Sequence, residues 1–164
     1  MAMDSVDRMV AEWNRRAPSL DVEPLQVIGR LLRWAEHGQR AIKDALRPLG
    51  LSYGDFDVLN TMRRRGDPAG VNPRELARSS LVTSGAMTAR LDRLAEAGLV
   101  VRETDPADRR AVLVLLTERG EQLATEALAA VLAADEELLA PLDDAQREQL
   151  AALLRTALSP HESG

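Results

Sequence analysis

The chain has 164 residues, 45% apolar but only 2% aromatic, with a net charge of −5. That length bounds it to one domain whose core is built from Leu, Ala and Val, a composition that favours helices. It has no cysteine, which excludes disulfides, thiolate metal sites and thiol redox sensing together.

The only imidazoles, His37 and His161, stand far apart, so no metal site is expected. No run approaches the roughly 18 apolar residues of a membrane span. The acidic start, MAMDSVDRM, lacks an apolar export region, so the expected location is cytoplasmic and no membrane partner is expected.

In chain order, residues 4–16 form a short amphipathic helix with Val6, Met9, Val10 and Trp13 on one face, ended by Pro18. Pro24 suits the first position of a long helix that carries Val27, Ile28, Leu31, Trp34, Ile42 and Leu46 at helical spacing, and Pro48 and Gly50 stop it. Ser52 caps a helix over 53–65 with Phe56, Leu59 and Met62 inward.

The stretch 72–119 carries the most information. A first helix holds Leu76 and Ala77 at buried positions, and a turn covers 79–82. Thr83 then caps a second helix reaching about Ala97, and Gly98 stands where a helix C-terminal glycine is expected. Residues 99–102 and 111–116 read as two strands around a tip at 105–110 rich in Asp and Arg. Helix, turn, helix and basic hairpin are the parts needed to read duplex DNA: a helix fills the major groove and the hairpin sets arginines near phosphate or in the minor groove.

Beyond the hairpin, Thr117 caps a long helix with Leu123, Ala127, Val131 and Leu138 on one side. A last helix over 143–158 presents Leu150, Leu153, Leu154 and Leu158, and Pro160 with the polar tail is expected to fray. The fold class is therefore mostly α with a small β-hairpin. It is a single domain over 1–164, with a winged helix-turn-helix at 52–116 between terminal helices at 1–48 and 117–158. Those terminal helices either complete a monomer core or interlock with a second copy, and the second is expected: a homodimer matches a two-fold operator.

The charge supports the DNA reading by its distribution. Residues 63–110 hold ten arginines against seven acidic residues, a local +3, which leaves −8 elsewhere. On the second helix, Thr83, Ser84, Thr88 and Met87 are candidates for base edges, by hydroxyl hydrogen bonds or by packing on thymine. Thr83 is read equally as a plain helix cap. Arg109 and Arg110 at the tip suit a minor groove of enhanced negative potential. Asp105 or Asp108 would serve to hold the hairpin by pairing with Arg109. Arg74 and Arg78 are candidate phosphate contacts.

Taken together, Asp105, Asp108, Arg109 and Arg110, then Leu116-Thr117 and Gly120, with Leu91-Asp92-Arg93-Leu94 and Gly98-Leu99-Val100 before them, resemble the winged helix-turn-helix of the MarR family of bacterial transcriptional regulators. The resemblance implies a dimeric DNA-binding protein without a cofactor, and it places Arg109 at the family's wing arginine. The absent cysteines separate this chain from family members that sense peroxide.

Within the family, the segments WNRRAPSLDVEPLQVIGRL, GDFDVLNTMRR and SSLVTSGAMTARLDRLAEAGLV resemble the urate-responsive branch, which carries an extra N-terminal helix. That resemblance implies a ligand pocket at Trp13, Asp57 and Arg90, with Arg16 as a further member, although 17–19 depart from the branch's pattern. The residue types are consistent with it: an anionic aromatic ligand would pair with Arg90, stack on Trp13 and repel Asp57. The plainer alternative is a structural Asp57–Arg90 ion pair, since a buried arginine needs a partner.

The leading expectation is a homodimeric repressor of double-stranded DNA released by a small anionic aromatic ligand such as urate. The alternatives are the same fold answering a different phenolic carboxylate, or a winged-helix protein-interaction module. No nucleophile–histidine arrangement, P-loop or G-x-G-x-x-G is present, so no enzymatic activity is expected.

Overall fold

The computed structural model describes residues 3–79, 84–106, 108 and 110–162, with the side chains of Ser79 and of 84–86 left aside. The chain groups into two compact units, 1–41 and 42–164, the boundary falling within one long helix.

The first unit holds helix α1 (Ser5–Arg16) and most of α2 (Glu23–Leu46). Asp4 caps α1: its carboxylate accepts from the Val6 and Asp7 N–H groups, while Asp7 accepts from the Asp4 N–H. Arg30 of α2 then binds both acids, at 2.9 Å to Asp4 and 2.5 Å to Asp7. The backbone N–H of Asp7, with those of Val6 and the Arg30 charge behind it, holds the Asp4 carboxyl below its ordinary pKa. Val6 and Val10 are buried, and Val6 lies against Gly29.

The second unit begins at the end of α2, where a 3-10 turn at Arg47–Leu49 closes on Gly50 at φ 68°. Helix α3 (Tyr53–Arg65) starts at a Ser52 cap that accepts from Asp55 N–H, with Asp55 accepting in return from Ser52 N–H, and it ends at Gly66. Phe56, Leu59 and Met62 are buried as the spacing predicted. Helices α4 (Pro73–Ser79) and α5 (Ser84–Glu96) follow, then strands β1 (Val100–Thr104) and β2 (Val112–Leu116), antiparallel with Val100 opposite Leu116. Val71 adds a pairing that the sequence did not announce: it exchanges two backbone hydrogen bonds with Val114, 2.9 and 3.0 Å. β2 is thereby flanked on both sides.

One joint fixes the end of α5. Leu99 N–H bonds the Leu94 carbonyl and Gly98 N–H the Ala95 carbonyl, a closure that needs the left-handed backbone Gly98 adopts at φ 68°. Thr117 donates its hydroxyl to the Gly98 carbonyl and accepts from Gly120 N–H, starting α6 (Glu118–Leu139) against that turn. The core of this unit joins α3, α4, α5 and the hairpin around Leu59, Leu76, Leu91 and Val114, while Phe56, Ala127 and Val131 pack with Leu46 in a second cluster.

Helix α7 (Asp144–Glu162) buries none of its residues. It is held to α6 by Arg147, bidentate to Glu136 at 2.8 Å and donating to the Leu139 and Leu142 carbonyls. The fraying expected at Pro160 is corrected: the helix runs two residues past it. The proline's φ suits a helix, while its missing N–H and its ring crowd the carbonyl four residues back, a cost borne here in the last turn.

A Cβ at Gly120 would collide with the Leu99 carbonyl. Gly120→Ala is therefore expected to cost about 1–3 kcal/mol, as overpacking against rigid backbone does, read as a lower urea midpoint at unchanged m-value; an unchanged midpoint would refute the close approach.

Candidate DNA interface and buried arginine site

The helix-turn-helix is positioned from within. On α5, Met87, Leu91 and Leu94 recur at i, i+4 and i+7 and are all buried, so this stripe faces the core. That corrects the expectation for Met87. At 3% exposure its thioether is committed to the core and cannot reach a base edge. Thr88, one position on, is exposed, as are Arg74 and Arg78 of α4. Thr83 and Arg109 lie outside the described residues, as does the side chain of Ser84.

Ion pairs tie the reading elements to their supports. Arg102 of β1 meets Asp92 of α5 at 2.7 Å, and Arg65 of α3 meets Glu75 of α4 at 3.0 Å. Asn72 caps the start of α4 by accepting from Arg74 N–H. At the wing tip, Asp108 accepts from Arg110 N–H at 2.9 Å, and its carbonyl accepts from Ala111 N–H, so this acid shapes the turn through backbone. A groove of about 470 Å³ lies between Asn72, Pro73 and Arg74 on one side and Asp108, Arg110 and Val112 on the other. It brings Arg74 and Arg110 to one channel, a pairing suited to phosphate oxygens.

Behind the reading face sits a buried arginine. The Arg90 side chain is 15% exposed, and its Nε lies 3.3 Å from Oδ1 of Asp55, itself 13% exposed. The expected partner was Asp57, and the observed ion pair replaces it with Asp55. They stand two positions apart on α3, about 200° around the helix, so their side chains leave it in different directions. Asp57 is also buried. Burial and the charges of Asp57 and Asp135 raise the pKa of Tyr53.

Asp55 is heavily shared. Its Oδ2 accepts from Ser52 Oγ at 2.5 Å and from Ser52 N–H at 3.3 Å, and its Oδ1 accepts from Arg93 Nη2 at 3.0 Å. Arg90 gains charge compensation, but its Nε and Nη1 are buried without a hydrogen-bond acceptor. Such orphaned donors cost about 1–3 kcal/mol each. The guanidinium lies where only a glycine leaves room: a Cβ on Gly54 would overlap it. Gly54 and Asp55 were not singled out from the sequence. The Ser52-x-x-Asp55 cap was the available signal for the acid.

In the first unit, Trp13 is 42% exposed and Arg16 is exposed in the last turn of α1. Among the described residues no three acidic or histidine side chains gather as a metal site, and no helix is long and apolar enough to cross a membrane.

The MarR family profile matches residues 49–111. The chain is 34% identical over 149 residues to the HTH-type transcriptional regulator PecS of Dickeya dadantii, covering 91% of this chain and 90% of that protein. The HTH-type transcriptional repressor Rv2887 of Mycobacterium tuberculosis is 37% identical over 113 residues, 69% of this chain and 79% of its own. Its crystal structure, a complex with salicylic acid, superposes with a TM-score of 0.63 at 33% identity, covering 80% of this chain and 95% of that one. A MarR variant from E. coli complexed with operator DNA superposes at 0.70 with 30% identity, covering 89% and 97%. This chain belongs to the MarR family of DNA-binding transcriptional regulators, which are not enzymes.

Proposed function

We propose that the protein acts as a homodimeric repressor on a pseudo-palindromic operator and is released by a small anionic aromatic ligand. The observation that carries the ligand reading is the Arg90 guanidinium, charged, buried and short of acceptors on the helix that reads DNA. An anion reaching it gains charge-assisted hydrogen bonds, and release follows if that anion binds the DNA-incompetent state more tightly.

Exposed apolar surface supports the dimer. Helix α7 buries nothing, with Leu153 at 62% exposure, and α2 separately leaves Val27, Ile28 and Leu32 uncovered. Helices with such faces need a packing partner, and a second copy brings the same faces and the two-fold symmetry of an operator.

For DNA contact, Thr83, Ser84 and Thr88 are assigned to base edges, Arg109 and Arg110 to the wing's groove, and Arg74 and Arg78 to phosphate. Urate is the proposed effector. Asp57, Trp13 and Arg16 enter the ligand site on the resemblance to the urate-responsive branch. A second reading, a phenolic carboxylate, is favoured by the salicylic acid bound to the mycobacterial relative.

Operator affinity should fall steeply with salt, and Arg74→Ala and Arg110→Ala should each flatten the slope of log K against log salt by about one, the effect of leaving one phosphate unneutralised. Unchanged slopes would remove these side chains from the backbone. Titrating urate into the complex with DNA from the gene's own promoter should release the protein, and Arg90→Ala should abolish release while retaining binding. If urate fails where salicylate succeeds, the second reading holds; if neither releases the protein, ligand control through Arg90 is refuted. Gly54→Ala, whose methyl displaces the guanidinium, should blunt release as Arg90→Ala does, with helix α3 intact by circular dichroism.

A further inference from the structure

The carbonyls at the end of the recognition helix are met from a distant part of the chain. Gly98 N–H and Leu99 N–H close α5 on the Ala95 and Leu94 carbonyls, and the carbonyls beyond them must find donors elsewhere. Three in a row find theirs at the start of α6. Ala97 accepts from Nη1 of Arg119 at 3.1 Å, Gly98 from the Thr117 hydroxyl at 2.8 Å, and Leu99 from the Thr117 N–H at 3.1 Å.

These bonds hold different things. Gly98 is a bend, at φ 68°, so the two bonds from Thr117 hold the turn and the closing end of the hairpin, where Val100 stands opposite Leu116. The bond from Arg119 crosses the bend and grips the chain on its helix side. A cation there is favoured by the partial negative charge of a helix C-terminus, and a charged donor makes the stronger hydrogen bond.

We propose that Arg119 is a positioning residue for DNA reading: seated on the Ala97 carbonyl, its guanidinium fixes the recognition helix against α6 and so sets the pose in which base edges are read. It acts through the helix and not through DNA. A shift in pose is felt unequally by the two kinds of DNA contact. Charge attraction to phosphate persists over about 8 Å, whereas hydrogen bonds to base edges weaken over a few tenths of an ångström. Base contacts carry the sequence preference. Loss of Arg119 therefore costs operator binding and spares binding to unrelated DNA.

The test compares wild type with Arg119→Met, which keeps an unbranched apolar stem and removes the charge and every donor. Fluorescence anisotropy over a salt series measures binding to two duplexes of equal length, an operator selected from random sequences by the wild-type protein and an unrelated sequence. Circular dichroism verifies the fold. Operator affinity should fall roughly three- to tenfold, the scale of one hydrogen bond. Affinity for the unrelated duplex should stay within about twofold, with the slope of log K against log salt unchanged. Arg119→Lys, which keeps the charge and a donor, should recover operator affinity.

Equal losses on both duplexes overturn the proposal; with a slope flattened by about one, Arg119 is then a phosphate contact. Unchanged affinity on both overturns it as well, and a lowered Tm would leave the bond a purely stabilising one. An Arg119→Lys variant as weak on the operator as Arg119→Met also overturns it, since the bond to Ala97 would then not be what is lost.

Discussion

The structure of the second unit depends on one close approach, the passage of α6 over the Leu99 carbonyl at Gly120. Thr117 bonds the Gly98 carbonyl in the same turn. Three elements meet there: the closing turn of α5, the first residue of the hairpin and the first turn of α6. The recognition helix is therefore referenced at its C-terminal end to a rigid backbone joint. Side-chain packing through Leu91 and Leu94 fills the space, while the joint sets the angle.

What was legible in the sequence is what is local. Ser52, Gly98 and Thr117 stand at helix ends as their residue types predicted, because a cap is satisfied by residues within one turn. The shape of the wing was legible for the same reason. The Val71–Val114 pairing was not, since a single bridging residue has no periodicity of its own and depends on where β2 lies in space. Met87 was misplaced although the signal was present: it stands i−4 from Leu91 and i−7 from Leu94, the inward stripe of an amphipathic helix.

The buried site was half legible. A lone arginine among apolar positions on α5 announced a need for a carboxylate, and α3 was correctly taken as its source. Which of two acids on α3 supplies it depends on the rotation of one helix against another, which no spacing within α3 encodes. The space at Gly54 is of the same kind. A missing Cβ says nothing until a guanidinium is found against it.

The pairing of arginines with acids also explains how a chain of net charge −5 presents a DNA-reading face. The arginines of 63–110 divide by what they touch. Arg63, Arg65, Arg90, Arg93 and Arg102 are engaged by carboxylates of Glu121, Glu75, Asp55 and Asp92, and they build the fold. Arg74, Arg78 and Arg110 take part in no ion pair among the described residues, and two of them line the groove beside the wing. Asp92 is matched to an arginine, and Asp108 is committed to the backbone of the wing turn. Coulomb attraction to phosphate is short-ranged at physiological salt, about 8 Å. Within this range, Arg74 and Arg110 are charges beside the wing that no internal acid neutralises among the described residues.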